Sequence, residues 1–560
     1  MLYSIDKKGS VDLGRHNFVA SGGEGHVYVH GGMAYKVYDD PGNMIPVGKI
    51  SELSKISNAA VIKPEKVLYQ NSNPVGYGMR HVPDSLAICK LFTRAFKDRN
   101  GLGPDKIFKL IQTMQNGVND VHDAGVLIVD VNEMNFLTDS SFSDVFFIDV
   151  DSYQTKSYPA TALMESVKDW HANGKWTKES DWFSWGVVSF QLFTGIHPFR
   201  GKHSSVKGFI DRMKGNISVF NGDVRVPKSV SSFDIIPQAY RDWYKAVFEE
   251  GKRVAPPFGP CVVISVVPLR KISSSAGIEV TSIAKAENEV IKYLNLDGNE
   301  IVVTRDEASC GKHALRFPCG TDMSALSFSL FENEVVCGYE DYGIARFKFL
   351  DGTLVPSNLY CERMFDYNGR AYIKNGTGIF EIKFLRMGKV AKAFGSLVAN
   401  VMQSATTICD GVIVQDMLGS WYVSIFPEEK TSRTIKLDDL DGHRVIDAKY
   451  EFGVLMIVSI LGGAYTKFVY RFNGGSLSFD LFWKDEGIVY SGINFVVLDR
   501  GVCAHIDEKE ELVLFSNRPV SQDVKRVRDA AVSNDMRLCK RSDEVLFVRG
   551  KEVFKISMRK

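Results

Sequence analysis

The sequence predicts a multidomain chain: a bilobal α+β domain over residues 1–265, a linker over 266–284, and an all-β domain over 285–560. Three observations predict it. The 560 residues exceed what one ordinary hydrophobic core holds. The first half passes from short strand-like runs to helical periods, and beyond about residue 285 the text is short alternating strands with no long helical period. The Pro-rich VAPPFGP at 254–260 and the polar KISSSAG at 271–277 separate the two halves.

Up to about residue 98, the runs NFVA, HVYV, MAYKVY, EKVLYQ and VGYGMR are divided by Gly, Asn and Pro turns, with one helical stretch near 47–57. This reads as a small sheet-rich lobe. From about 99 to 265 the second lobe is helical. Ile107, Leu110, Ile111, Met114, Val118 and Val121 keep the three-to-four spacing of an amphipathic helix over 104–124, with Gly125 as its stop. DWFSWGVVSFQLFT at 181–194 is apolar almost all round yet too short to cross a bilayer, which predicts a helix at the centre of the lobe.

In the second half, hairpin-like pieces recur. Anchored on Gly298, Glu334, Gly369, Gly411, Gly453, Gly501 and Glu544, their steps are 36, 35, 42, 42, 48 and 43 residues. That is close to one four-stranded blade per step, so the expected architecture is a seven-bladed β-propeller, with a pair of β-sandwiches as the alternative. The repeat lies in spacing and pattern, because the Trp-Asp dipeptide of familiar blades is absent.

Composition, 45% hydrophobic and 24% charged, is that of a globular protein and names no activity. A net charge of +1 gives no overall field for nucleic acid or an anionic membrane, and neither is expected as a partner. The cluster Lys525, Arg526 and Arg528 reads as a solvated face. Nine cysteines without a Cys-x-x-Cys pair read as reduced, mostly core residues. MLYSIDKKGS lacks the apolar core of a signal peptide, and no run reaches the roughly 18 apolar residues of a membrane span, so a cytoplasmic protein is expected.

Phosphoryl transfer requires a backbone cradle for phosphates, a cation on the nucleotide, carboxylate and amide groups for a metal, and a carboxylate beside the attacking hydroxyl. All four occur in chain order. The cradle is the segment with Ser21, Gly22, Gly23, Gly25 and Val27, between NFV and VYV. Lys36 lies in the strand-like AYKVY, where burial demands a partner. Glu52, on the predicted helix after Val47, is the expected partner, with Glu65 nearby.

Ile128-Val-Asp130-Val-Asn132-Glu-Met-Asn135 resembles the catalytic loop of the protein kinase superfamily, and VFFIDVD places Asp149 where that superfamily carries its metal aspartate. ESDWFSWGVVSFQLFTGIHPF resembles its central helix. The resemblance covers a little under half the chain. It implies an ATP- and magnesium-dependent enzyme, with manganese as an alternative ion, transferring the γ-phosphoryl group to Ser or Thr of a protein. Asp130 would sit at the substrate hydroxyl, Asn135 and Asp149 on the metal, Lys36 on the nucleotide phosphates, and Asp181 would brace the catalytic loop. Arg253 would close the lobe, with Glu165 as partner. IDVDSYQ, SDWFSWG and GIHPFRGKH are more similar to a bacterial and phage branch of kinase-like proteins than to the eukaryotic enzymes. Some members of that branch carry a helix-hairpin-helix DNA-binding tail; this chain has the β-rich half instead.

Departures from the pattern set the alternatives. Ala20 replaces the first loop glycine, Ile128-Val129 stands for His-Arg, and Asn132 replaces a lysine on the transferred phosphate. Without that arginine, activity needs no activating phosphorylation. Loss of the lysine slows transfer by about 10²–10³ without abolishing it. Asp151 has two readings, a further metal ligand or a cap of the next turn, the cap being favoured. The stretch from Asp149 to about Glu165 is short for a segment that docks a peptide. The other functions consistent with these residues are a pseudokinase or nucleotide-binding scaffold acting through a protein partner on the propeller, and a small-molecule phosphotransferase.

Overall fold

The computed structural model describes every residue except 23, 161–162, 228–229, 259–276, 319–320, 389, 462–463, 474–477, 489–491, 530 and 559–560. Two compact units divide the chain. One comprises Met1–Arg270 with the short segments Ile460–Tyr465 and Gly487–Gly492, and the other comprises Lys271–Ser459, Thr466–Glu486 and Ile493–Lys560.

The first unit begins with seven strands: β1 (Leu2–Ile5), β2 (Gly9–Asp12), β3 (Phe18–Ser21), β4 (Gly25–His30), β5 (Met33–Tyr38), β6 (Pro64–Gln70) and β7 (Asn73–Arg80). They form one antiparallel sheet in the order β2-β1-β6-β7-β5-β4-β3. Alternation makes one face of this sheet apolar, with Tyr3, Val11, Leu68 and Val75 in a buried cluster. The helical stretch is α1 (Val47–Leu53), which buries Lys49, Ile50 and Leu53.

Helices then take over: α2 (Arg94–Arg99), α3 (Pro104–Asp123), α4 (Lys178–Thr194), α5 (Phe209–Lys214) and α6 (Gln238–Phe248). Helix α3 matches the expected amphipathic span; Pro104 starts it, and Gly125 follows it at φ +75°. Helix α4 is buried along its whole length from Ser180. Its N-terminus is closed by a capping box between Thr177 and Ser180, and Gly195 at φ +80° ends it. A Cβ on Gly195 would also lie 2.8 Å from the Phe92 carbonyl oxygen, so the glycine is required twice over. Trp185 at its centre packs edge-on against Trp182 and Trp243.

Two short strands matter for the site. Strand β9 (Phe136–Thr138) and strand β10 (Val145–Phe147) pair as an antiparallel hairpin, with Phe147 opposite Phe136, and β9 also pairs with β8 (Leu86–Ala87).

The second unit is all-β apart from short 3₁₀ turns among the described residues. Its described residues form seven four-stranded sheets. Each expected anchor, Gly298, Glu334, Gly369, Gly411, Gly453, Gly501 and Glu544, falls at or beside the turn between two adjacent strands of a different sheet. Apolar clusters join each sheet to the next in sequence and the last to the first. The first strand of this unit is Ile278–Lys285, which pairs with the final strand Glu552–Met558 in one sheet. It therefore starts inside the span expected as a linker, of which 266–276 lie outside the described residues. Among the described residues, Cys310, Cys337, Cys361, Cys503 and Cys539 are free thiols, four of them buried. No helix among the described residues is long and apolar enough to cross a membrane.

Candidate active site

The loop between α3 and β9 carries Asp130 and Asn135. Its backbone is held by Asp181 at the start of α4: Oδ2 accepts from the Ile128 N–H at 2.8 Å and Oδ1 from the Val129 N–H at 2.9 Å. His122 Nε2, from the end of α3, lies 2.9 Å from the same Oδ2. Asp181 is fully buried, so these partners replace its hydration. They also stabilise a strained backbone, because the β-branched Val129 sits at φ +66°, a conformation that costs on the order of 1–3 kcal/mol.

Within the loop, Asn132 is buried and its Oδ1 accepts from the Met134 N–H at 2.8 Å, closing a turn. Asn135 Nδ2 donates to the Asp130 carbonyl oxygen at 3.0 Å and approaches Asp130 Oδ2 at 3.3 Å. The Asn135 amide is thereby oriented with its nitrogen toward Asp130 and its oxygen away. Asp130 Oδ1 accepts from the Met164 N–H at 2.7 Å.

The β9–β10 hairpin brings Asp149 beside this loop, with the Ile148 N–H donating to the Asn135 carbonyl at 3.0 Å. Asp149 itself adopts the left-handed conformation, φ 57° and ψ 45°, and starts a single 3₁₀ turn over Val150–Ser152. Partial burial pushes its carboxyl above the ordinary aspartate value; Lys36 opposes this, and the Asp151 and Asp130 carboxylates reinforce it.

Lys36, on β5, is paired across the sheet with Val27 on β4 and with Tyr77 on β7. Its ammonium lies 3.2 Å from Asp149 Oδ1 and 2.5 Å from Asp151 Oδ2. The expected partner, Glu52, is not among its contacts. Glu52 is on the solvent side of α1, whose inward face is Lys49, Ile50 and Leu53, and its Oε2 accepts from the Ser157 N–H at 3.1 Å. Asp151, for which a cap and a metal ligand are the two expectations, turns its side chain toward Lys36 and two tyrosines. Its side chain is only 4% exposed, Oδ2 accepts from Lys36 and from the Tyr38 hydroxyl, and Oδ1 accepts from the Tyr77 hydroxyl. The Lys49 ammonium, buried from α1, donates to the Asp151 carbonyl at 2.5 Å.

The charges follow from these contacts. Burial disfavours the Lys36 ammonium, yet Asp151 and Asp149 outweigh it and hold its pKa above the ordinary lysine value. Burial and Asp151 raise both phenols, which stay protonated as donors.

The hairpin expected to cradle phosphates is β3–β4. Its tip is closed by the Gly22 N–H donating to the Gly25 carbonyl at 2.8 Å, and Ser21 Oγ lies 3.0 Å from His26 Nδ1. A Cβ on Gly25 would come within 2.2 Å of the Val37 carbonyl oxygen, so β5 can pass only a glycine there. Gly23 lies outside the described residues. Glu24 at the tip is 4.0 Å from Lys36.

At the far end of the lobe, Arg253 pairs with Asp169 rather than with the expected Glu165, which is exposed. The contact is bidentate, 2.6 Å from Nε and 2.7 Å from Nη2, and Asp169 is buried.

A divalent ion fits the residues present. Asn135 and Asp149 supply hard oxygen donors, the amide orientation points oxygen away from Asp130, and magnesium takes few protein ligands, leaving the rest to phosphates and water. Among the described residues, no cluster of three or more His, Cys, Asp or Glu forms a protein-only metal cage.

No family model matches the chain, and no curated protein matches it. Among solved structures, the chain is similar to the Cydia pomonella granulovirus kinase PK-1, with TM-score 0.33 and 14% identity, over 42% of this chain and 87% of that one. The functional reading rests on the geometry of the site.

Proposed function

We propose that residues 1–265 are a protein kinase using ATP and magnesium, with manganese as an alternative, to transfer the γ-phosphoryl group to Ser or Thr of a protein. The observation that carries this reading is the convergence of Asp130, Asn135 and Asp149 from two adjacent loops, 3.0 Å apart at their backbone junction, with Lys36 against Asp149. In the proposed mechanism the Gly22–Gly25 hairpin covers the nucleotide, and Lys36 carries its charge to the phosphates. Asp130 orients the substrate hydroxyl once Oδ1 exchanges the Met164 N–H for it, and accepts its proton as the new O–P bond to the γ-phosphorus forms and the bond from that phosphorus to the β,γ-bridging oxygen breaks, releasing ADP. Asn135 and Asp149 would hold the metal, whose charge offsets that developing on the β- and γ-phosphate oxygens.

The seven sheets are read as blades of a β-propeller, closed by the pairing of Ile278–Lys285 with Glu552–Met558, and its surface as the module that recruits the protein substrate or a protein partner. The pseudokinase reading draws on Ala20, Val129 and Asn132 and on the engagement of Asp130 by Met164. The small-molecule reading drew on Asp149-x-Asp151 as a double metal ligand; with both Asp151 oxygens engaged by Lys36, Tyr38 and Tyr77, that support is withdrawn.

The test is incubation of the full chain with γ-labelled ATP and magnesium, with casein as a generic acceptor, beside Asp130→Ala and Asp149→Ala. Transfer should fall by about 10³-fold in both variants. Magnesium-dependent ATP binding without any transfer by the wild type would favour the scaffold.

A further inference from the structure

Lys36 needs a fixed carboxylate if its ammonium is to point at a nucleotide rather than wander; of the three near it, Glu24 is farthest at 4.0 Å, and the other two compete for that role. Asp149 is 46% exposed, makes the longer contact of 3.2 Å, and belongs to the proposed metal site, where its oxygen would turn to the ion. Asp151 is buried, makes the shorter contact of 2.5 Å, and has its two oxygens oriented by Tyr38 and Tyr77. All the parts are fixed by regular structure. Lys36 and Tyr38 share one face of β5 at a spacing of two, and Tyr77 lies opposite Lys36 on β7. Lys49 from α1 binds the Asp151 carbonyl, and Val150–Ser152 is one 3₁₀ turn directly after Asp149. Glu52 faces away and secures Ser157 instead.

We infer that Asp151, and not a glutamate of helix α1, is the positioning residue that aims Lys36 at the nucleotide phosphates, an inference that rests on the nucleotide-binding reading above. Two consequences follow. The lysine and the metal aspartate are set by the same three-residue turn, so the cation and metal ends of the nucleotide site are aligned together. Helix α1 does not have to swing in to complete the site, because its contribution, Lys49, goes to the Asp151 backbone rather than to Lys36. Nucleotide binding in this chain is then indifferent to the charge of Glu52.

The experiment is calorimetric titration of MgATP into the full chain, wild type and variants, with thermal unfolding recorded for each. Asp151→Asn keeps the shape and removes the charge; it should weaken MgATP binding by about tenfold, as loss of an orienting partner does. Glu52→Gln should change it less than twofold. In a Lys36→Ala background, Asp151→Asn should have no further effect, because a residue acting through Lys36 has nothing left to aim. Should Asp151→Asn fail to fold, Tyr38→Phe/Tyr77→Phe keeps the carboxylate and removes its two phenol donors; it should weaken binding by about threefold, again only when Lys36 is present. Equal losses with and without Lys36 would overturn the inference and leave Asp151 a stabilising residue. A tenfold loss from Glu52→Gln would overturn it in favour of α1. Absence of MgATP binding by the wild type would remove the nucleotide reading itself, and the inference with it.

Discussion

Two buried aspartates organise the proposed site, and they meet opposite kinds of partner. Asp181 receives two backbone N–H groups and a histidine, with no lysine or arginine among its hydrogen-bond partners in the described residues; what it fixes is the path of the chain through Ile128 and Val129. Asp151 receives an ammonium and two phenols; what it fixes is the position of a charge. The first network is sealed inside the lobe, whereas the second opens onto the half-exposed Asp149. A carboxylate that satisfies backbone donors should be read out in stability, because removing it strands groups that have no other partner. A carboxylate that aims a side chain should be read out in ligand affinity.

The sharpest way to break this contrast is Asp181→Ala. It orphans the Ile128 and Val129 N–H groups, releases the strain at Val129, and should cost about 3–5 kcal/mol in chemical denaturation, with loss of transfer as a by-product. Loss of transfer at unchanged stability would place Asp181 with Asp151 instead.

The same contrast extends along the lobe. Arg253 aims charge at the buried Asp169 in a bidentate pair, and Arg253→Ala leaves that carboxylate uncompensated; about 3 kcal/mol should be lost in denaturation. Glu165→Ala, by comparison, should stay within about 0.5 kcal/mol. Equal effects would restore Glu165 as the partner.

His197 is the backbone-directed counterpart: Nε2 lies 2.8 Å from the Ser166 carbonyl oxygen, and Nδ1 accepts from the Phe199 N–H. Burial pushes its pKa down to about 3, so the folded chain resists protonation while the unfolded histidine takes up a proton near pH 6.5. Its contribution is therefore intact above about pH 6.5 and declines as the pH falls toward 3. Between pH 6.5 and 5, stability should drop by about 2 kcal/mol through this group alone, and His197→Gln should flatten that part of the profile in denaturation measured at both pH values. An unchanged slope would show that His197 stays neutral in both states or charges in both.

How far these features were readable in advance depends on the range of the contact. Asp130 and Asn135 are five residues apart in one loop, and Asp149 returns to them through a short hairpin, so spacing and pattern were enough. Six of the seven sheets are readable for a related reason: each is a local run of four successive strands, and turn glycines such as Gly369 and Gly453, at φ +68° and +87°, mark the period. The partner of Lys36 was not, because Asp151 lies 115 residues away and only the fold brings it to β5. Its expected substitute, Glu52, could have been set aside from sequence: Ile50 and Leu53 define the inward face of α1, and a residue between them at helical pitch points elsewhere. The strand Ile278–Lys285 falls almost wholly in the expected linker because its partner is the final strand of the chain, Glu552–Met558, and nothing local announces that pairing. Asp169 was missed for the same reason, 84 residues before Arg253.

In the proposed site, Asn135 and Asp149 would hold a divalent ion on a nucleotide that Lys36 reaches from Asp151. The most direct measurement is a crystal structure of the full chain with manganese and a non-hydrolysable ATP analogue, with the anomalous signal of manganese used to place the ion. The expected result is an anomalous peak beside Asn135 Oδ1 and an Asp149 oxygen, phosphates beneath the Gly22–Gly25 hairpin, and Lys36 in contact with both a phosphate and Asp151. Manganese bound away from Asn135 and Asp149, or a nucleotide whose phosphates lie out of reach of Lys36, would contradict it.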